Sequence, residues 1–227
     1  MKTLAAVTVI ALTACSQRVY SPPSQAFGLG PVTAISEGSQ TLDVELATHK
    51  QVFDPGLFSG AARLSHGIGR RTEVTGEGTA YSVSGRQIYA GRAGVRHSPG
   101  EDLALFAGAG GGYAPIAGGF TTLDAGMAVG IDNCVLVPVL QGSAFVSQPI
   151  APRAVDVSDS DVMQTDTPAT TLGATVRGGL RLSLAPDECR RGEPGTWLYA
   201  GFDITGVTDH DSDDSLFGLG VGLSVPL

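Results

Sequence analysis

The residues best suited to chemistry are three cysteines, four histidines and a run of alternate acids near the C-terminus. Residues 209–214 read Asp-His-Asp-Ser-Asp-Asp, which copies the alternate acids of a calcium loop but lacks its sixth-position glycine and twelfth-position acid. His49, His66 and His97 are scattered, and no HExxH, CxxC, GxSxG or Walker sequence accompanies them. We therefore predict no metal site, no cofactor and no enzymatic activity.

The composition excludes several other classes of protein. The chain has 227 residues, of which 42% are hydrophobic and only 16% charged, with 32 glycines and a net charge of −8. Lys2 and Lys50 are the only lysines among 14 basic residues, whereas a soluble enzyme spreads Lys and Glu over its surface. The apolar content is too high for a disordered chain, and an acidic chain without basic clusters is not expected to bind nucleic acid.

The N-terminus has the pattern of a targeting segment. Lys2 precedes a short apolar run from Leu4 to Leu12, which is too short to span a membrane as a helix. This pattern is typical of a cleaved secretory signal, so residues 1–14 are predicted to be a signal peptide.

The small residues before Cys15, in the sequence Leu12-Thr13-Ala14-Cys15, resemble the bacterial lipobox. The resemblance implies that Cys15 becomes the mature N-terminus and carries acyl chains such as palmitate. Ser16 implies, by the same resemblance, retention in the outer membrane. An ordinary signal peptide with an incidental cysteine is the alternative. Residues 15–40 are predicted to be the lipidated cysteine and a flexible tether, because they are rich in Ser, Pro and Gly and lack any period.

From residue 41 onward, apolar and small or polar residues alternate with a period of two, most clearly in 172–184 and 217–227. Only a strand places such residues on one side, so residues 41–227 are predicted to form an all-β domain. Turn signals separate ten predicted strands: 41–52, 57–68, 71–83, 87–97, 101–113, 119–131, 134–147, 170–184, 196–207 and 215–226. Hairpin connections make them an antiparallel up-and-down β-barrel of about ten strands, with eight to twelve compatible with the pattern.

Eleven charged residues of these strands fall on the face that is otherwise Gly, Ala, Ser and Thr. They are Asp43, Glu45, Arg63, Glu73, Glu77, Arg92, Arg96, Asp124, Arg177, Arg181 and Asp203. Six acids nearly balance five arginines, and the planar guanidinium group suits enclosed pairing with carboxylates. We predict that these residues form ion pairs inside a narrow lumen.

In this pattern, residues 41–227 resemble the small outer-membrane β-barrel proteins of Gram-negative bacteria. The resemblance implies strands that span the membrane, an outer-membrane location, and a structural, scaffold or surface-interaction role in the cell envelope. The expected partners are the lipid bilayer, through the Cys15 acyl chains and the barrel exterior, and other envelope proteins. Two alternatives stay open. One is a narrow outer-membrane channel, and the other is a lipid-anchored soluble, lipocalin-like barrel that turns its apolar face inward around an apolar ligand.

Loop lengths predict which connections share a rim. The long segment 148–169 and the acidic segment 208–215 are odd-numbered connections, and outer-membrane barrels carry their long loops outside. Cys134 and Cys189 then both fall at the opposite rim. In an oxidising compartment they are predicted to form a disulfide, the alternative being two free thiols.

Overall fold

The structure is a computed structural model and describes residues 28–51, 57–83, 86–115, 117–131, 133–156, 165–190, 195–209 and 213–227. The predicted signal peptide 1–14, Cys15 and the first part of the predicted tether lie outside the described residues.

Ten long strands and a short hairpin make up most of the described chain. The strands are β1 (Gln40–Gln51), β2 (Leu57–Gly69), β3 (Thr72–Val83), β4 (Arg86–His97), β5 (Leu103–Ala114), β6 (Gly118–Gly130), β7 (Leu136–Ile150), β8 (Val155–Asp156), β9 (Thr165–Asp166), β10 (Thr171–Ser183), β11 (Trp197–Thr208) and β12 (Asp213–Pro226). All except β8 and β9 join one closed barrel, in which every pairing is antiparallel and β1 pairs with both β2 and β12. The predicted ten-stranded antiparallel barrel is confirmed.

Two connections hold elements that the sequence did not predict. β8 and β9 pair as a small hairpin between β7 and β10, and Val155 within it is buried. The short helix α1 (Pro186–Arg190) lies between β10 and β11. Segments of two to five residues are too short to show a period, so the sequence could not reveal them. Among the described residues, no helix is long and apolar enough to cross a membrane.

Side chains alternate between two contrasting environments along every barrel strand. On β1, Glu45 is 4% exposed whereas its neighbour Leu46 is 66% exposed. The same alternation gives β12 an exposed Leu219 beside the buried positions 218 and 220. The charged face therefore lines the lumen and the aliphatic face lies outside. The lipocalin-like alternative required the opposite arrangement, so it is wrong for the described strands.

Lumenal aromatic side chains lie over glycines of the neighbouring strand. The pairs, each directly opposite in the strand register, are Phe106–Gly126, Phe120–Gly112, Phe145–Gly173 and Tyr199–Gly222. A Cβ added to any of these glycines would overlap the ring. Glycine therefore leaves the room in which large side chains fill the barrel.

A disulfide ties two connections together at one rim. Cys134 follows β6 and Cys189 lies in α1, and their Cα atoms are 5.4 Å apart across the bond. β7 and β10 are neighbours in the barrel, so the connections that precede β7 and follow β10 meet at this rim. The chain also ends here, since the amide of Leu227 donates to the carbonyl of Gln40 at 3.1 Å. The structure thus contains the disulfide predicted between Cys134 and Cys189.

The glycine–aromatic packing can be tested with a matched pair of variants. Gly222→Val places a branched side chain against the Tyr199 ring, whereas Gly206→Val projects into open space on the barrel exterior. We expect Gly222→Val to lower the free energy of unfolding by about 1–3 kcal/mol, the usual cost of overpacking, and Gly206→Val to change it little. Urea titration followed by gel migration of the folded form measures both. Equal effects of the two variants would contradict the packing described.

Candidate functional site

The lumen gathers most of the charged groups of the barrel. All eleven residues predicted to face it are buried there: Asp43, Glu45, Arg63, Glu73, Glu77, Arg92, Arg96, Asp124, Arg177, Arg181 and Asp203. Enclosed charges of this kind must be paired or hydrogen-bonded, because their desolvation is costly. The partners of each group therefore show what the lumen can do.

The main charge row runs around half of the barrel and alternates in sign. Asp43, Arg63, Glu77 and Arg92 occupy successive paired positions on β1, β2, β3 and β4. Nε of Arg63 donates to Glu77 at 2.8 Å, and Nη1 of Arg63 lies 3.7 Å from Asp43. The row ends at Asp124 on β6, which accepts hydrogen bonds of 2.7 and 2.6 Å from Arg92. Each cross-strand neighbour thus neutralises the next.

The Arg92–Asp124 pair spans an intervening strand. Arg92 lies on β4 and Asp124 on β6, so the guanidinium group crosses β5 at Gly108. A Cβ at Gly108 would overlap that guanidinium group. The glycine-rich sequence of β5 therefore permits the bidentate contact.

Nearer the rim that carries the disulfide, two arginines contact aromatic rings. Arg96 lies 3.4 Å from Glu73 and places its guanidinium carbon 6.0 Å from the centre of the Phe106 ring. Arg181 lies 5.0 Å from the centre of the Trp197 ring. Both are cation–π distances, which stabilise an arginine that is shielded from water.

A second row of polar side chains lies on β7, β10, β11, β12 and β1. Gln141, Arg177, Asp203, Gly218 and His49 occupy successive paired positions. His49 Nε2 lies 3.2 Å from Asp203, and Arg177 Nε lies 3.7 Å from the same carboxylate oxygen. Both polar side-chain atoms of Gln141 and Nδ1 of His49 are buried without a hydrogen-bond partner. The polar atoms of this row therefore have fewer hydrogen-bond partners than those of the charge row.

The alternation of β1 already places His49 on the polar face, whereas Gln141 was not among the residues predicted to line the lumen. The alternation of β7 does place Gln141 on the same inward face as Val137 and Val139. A single amide among apolar residues is not enough, however, to predict a polar lumen. No hydroxyl or thiol among the described residues hydrogen-bonds to His49, so the His49–Asp203 pair lacks an attached nucleophile.

Residues 28–35 lie inside the barrel, and we call them the lumen plug. Gly28 donates its amide to both carboxylate oxygens of Glu45, at 2.9 and 2.8 Å, and Tyr199 donates its hydroxyl to the same group at 3.2 Å. The amide of Ile35 donates to Glu73 at 2.9 Å. Two lumen carboxylates thus bind the backbone of the chain's own N-terminal segment.

Other plug contacts are apolar or involve the rim. Leu29 and Val32 are buried with Val137, Val139 and Tyr199 in the main apolar cluster of the lumen. Ser98 Oγ accepts from the amide of Ala34 at 2.7 Å and donates to the carbonyl of Val32 at 3.2 Å. Arg96 donates to the carbonyl of Pro31 at 3.0 Å.

The sequence predicts a flexible tether over residues 15–40, and residues 28–35 of that segment pack inside the lumen. Their Ser, Pro and Gly content is typical of a linker, yet Gly28 and Gly30 allow the backbone to lie directly against the guanidinium groups of Arg63 and Arg96. Gly28 has a φ of +29°, which also favours glycine. The glycines of this segment therefore permit close packing against the arginines of the lumen wall.

The described residues contain no cluster of three or more His, Cys, Asp or Glu side chains that could hold a metal ion. The calcium-like sequence 209–214 falls partly outside the described chain, since residues 210–212 are not among the described residues.

Comparison with known proteins finds several solved β-barrel structures of low similarity. No protein-family model and no curated protein matches the sequence. The N-terminal β-barrel domain of Pseudomonas aeruginosa OprF is 14% identical over 83% of this chain and 100% of that one, with a TM-score of 0.37. Neisserial surface protein A is 13% identical over 82% and 95%, with a TM-score of 0.36. The β domain of the Bordetella autotransporter BrkA is 10% identical over 83% and 99%, with a TM-score of 0.43. The class defined by the chain's own geometry is a closed barrel with a charged, plugged lumen.

The charge row makes a prediction for the Arg92–Asp124 pair. Arg92→Met leaves the Asp124 carboxylate buried without its partner, and we expect the free energy of unfolding to fall by about 3–5 kcal/mol. The double variant Arg92→Met/Asp124→Leu removes both charges and should recover most of that loss. Urea unfolding of the purified protein measures each variant.

The exposed pair Arg190–Asp187, at 3.2 Å in α1, supplies the control. Arg190→Met should change the free energy of unfolding by less than about 1 kcal/mol, because water screens that pair. A double variant as unstable as Arg92→Met would contradict the account of an unpaired buried carboxylate.

Proposed function

We propose that the protein is an outer-membrane lipoprotein of a Gram-negative bacterium, whose barrel spans the membrane as a sealed structural or surface-interaction element. The observation that carries the proposal is the barrel exterior. Each of the ten barrel strands exposes at least one large apolar side chain. A soluble monomer rarely exposes so large an apolar surface, whereas a lipid environment requires it.

The scarcity of charged side chains on the outward face also supports a lipid environment around the barrel. Among the outward-facing strand side chains that the structure describes, none is Lys, Arg or Glu, and the single Asp, Asp213, lies at a strand end. A charge facing the bilayer interior is costly, so its absence from these positions fits a lipid-facing band. Twelve residues of a strand tilted by about 40° climb about 30 Å, which is close to the thickness of the hydrocarbon core.

The lumen plug favours a sealed barrel over a channel. Leu29 and Val32 fill the lumen where the charge pairs of Arg63 and Arg96 meet the plug backbone, so no row of free charges lines a water path at that level. An arginine-lined pore would leave its guanidinium groups hydrated. The proposed function therefore includes neither transport nor catalysis.

The disulfide at one rim and the long connection at the other support a location in the cell envelope. The disulfide between Cys134 and Cys189 requires an oxidising compartment such as the periplasm. We assign this rim to the periplasmic side, because the opposite rim carries the long connection with β8 and β9. Acyl chains on Cys15 would add a second attachment to the membrane. Other envelope proteins are the partners that the surface loops would meet, and a sequence with a net charge of −8 and no cluster of basic residues is not expected to bind nucleic acid.

The experiment that tests the proposal separates barrel insertion from lipid anchoring. Cys15→Ser removes the acyl chains, and the variant should remain in the membrane pellet after an alkaline carbonate wash because the barrel itself spans the bilayer. Wild-type protein serves as the control, and radiolabelled palmitate should enter the wild type but not the variant. Release of Cys15→Ser into the supernatant would show that the barrel is only tethered.

A further inference from the structure

A groove crosses the outer face of the barrel, with a volume of about 810 Å³. Its walls include the side chains of Leu46, Phe58 and Leu219, which point away from the lumen and are exposed. Its floor lies at Gly60 and Ala80, two outward-facing positions that hold small residues. Large side chains beside small ones therefore leave a depression in the surface that the proposed function places against lipid.

The strand register gives the groove a direction. It begins on β11 at Ala200 and ends on β4 at Gln87, close to the outer rim, which is the rim opposite the disulfide. Starting from Ala200, the successive paired positions along it are Val221, Leu46, Gly60 and Ala80. The groove therefore runs obliquely across neighbouring strands toward the outer rim.

The climb of the groove along the barrel axis matches one leaflet of a bilayer. Ala200 lies three residues from the inner end of β11, whereas Gln87 lies ten residues from the inner end of β4. The difference of seven residues, on strands tilted by about 40°, corresponds to about 18 Å along the axis. Half of a hydrocarbon core is about 15 Å thick, so the groove spans about the depth of one leaflet and ends at the outer surface.

The lining of the groove changes from apolar to polar in the same direction. Its lower part includes Val221 and Leu46, whereas its upper end carries Ser82 and Gln87. Beside this end, the hydroxyl of Tyr89 donates to Oε1 of Gln87. A membrane lipid has the same order, because its acyl chain lies in the bilayer interior and its ester and phosphate oxygens lie at the surface. Hydroxyl and amide groups at the upper end can donate hydrogen bonds to such oxygens.

The absence of charge from the groove argues for an acyl chain over a charged peptide. None of the described residues that line the groove is charged. A charged peptide would lose its hydration there without gaining an ionic partner. An acyl chain has no polar group to desolvate, and it gains dispersion contacts with side chains such as Phe58 and Leu46.

We propose that the groove binds an acyl chain of a membrane lipid in the outer leaflet, with the polar head group of that lipid at Ser82 and Gln87. The inference rests on the proposed function, because a barrel that spans the outer membrane brings this surface into contact with outer-leaflet lipid. The barrel then holds one lipid at a fixed place on its circumference, whereas the other lipids around it exchange freely.

Filling the groove tests the proposal. The double variant Gly60→Leu/Ala80→Leu places two branched side chains on its floor, at positions that are partners in the β2–β3 register. The matched control is Gly206→Leu/Ala174→Leu, because these residues also face outward and are partners in the β10–β11 register, but do not line the groove. Ala80 and Ala174 each lie three residues from the outer end of their strand, so the two variants add the same side chains at similar depth. A Cβ fits at either glycine without overlap.

The lipid used is dipalmitoyl phosphatidylethanolamine, titrated into detergent-purified full-length protein and followed by native mass spectrometry. We expect the wild type and the control to bind the first lipid with the same affinity within about twofold. The groove variant should bind it at least about fivefold more weakly, because the acyl chain loses apolar contact with the barrel. Heat-modifiable gel migration verifies that all three proteins are folded.

Equal affinities of the groove variant and the control would overturn the lipid site. Tighter binding of added lipid by Cys15→Ser than by the wild type would also overturn it, since the chain's own acyl group would then be the occupant. A dimer that only the groove variant abolishes, with lipid binding unchanged, would identify a second copy of the chain instead. These results do not depend on insertion, whereas release of Cys15→Ser by carbonate would overturn the proposed function, so the two failures are distinguishable.

Discussion

The structure depends on enclosing arginine side chains together with carboxylates inside a closed barrel. A guanidinium group buried without a partner would cost several kcal/mol, so each one needs acceptors at fixed positions. The antiparallel register supplies them, because Asp43, Arg63, Glu77 and Arg92 lie directly opposite one another on successive strands. This arrangement lets the outward-facing positions of the barrel strands be largely apolar.

The same constraint explains the composition. Arginine offers a planar group that can bind two carboxylate oxygens at once, as Arg92 does with Asp124, whereas lysine offers a single ammonium group. Long side chains need space, and Gly108 provides it for that pair. The many glycines and few lysines are therefore consequences of a filled lumen. At Glu45 the plug backbone adds hydrogen bonds, since the amide of Gly28 donates to both carboxylate oxygens.

The sequence allowed the barrel, its faces and its disulfide to be predicted, because each depends on local alternation or on loop order. Alternation at 172–184 and 217–227 indicates strands without knowledge of their partners. The plug could not be predicted in this way. Its partners Glu45, Glu73 and Ser98 are dispersed along the chain, and they bind backbone amides that carry no sequence signature. Gln141 was missed for a related reason, since the role of an isolated polar residue shows only when the strand register places it in a row with others.

The central claim is that the plug and the paired charges seal a membrane-spanning barrel, and planar-bilayer conductance tests it most directly. The full-length protein should insert without current steps, whereas Leu29→Gly/Val32→Gly, which removes the apolar anchors of the plug, should produce discrete steps in the same bilayers. Steady steps from the wild type, or identical traces from both proteins after verified insertion, would contradict the sealed lumen.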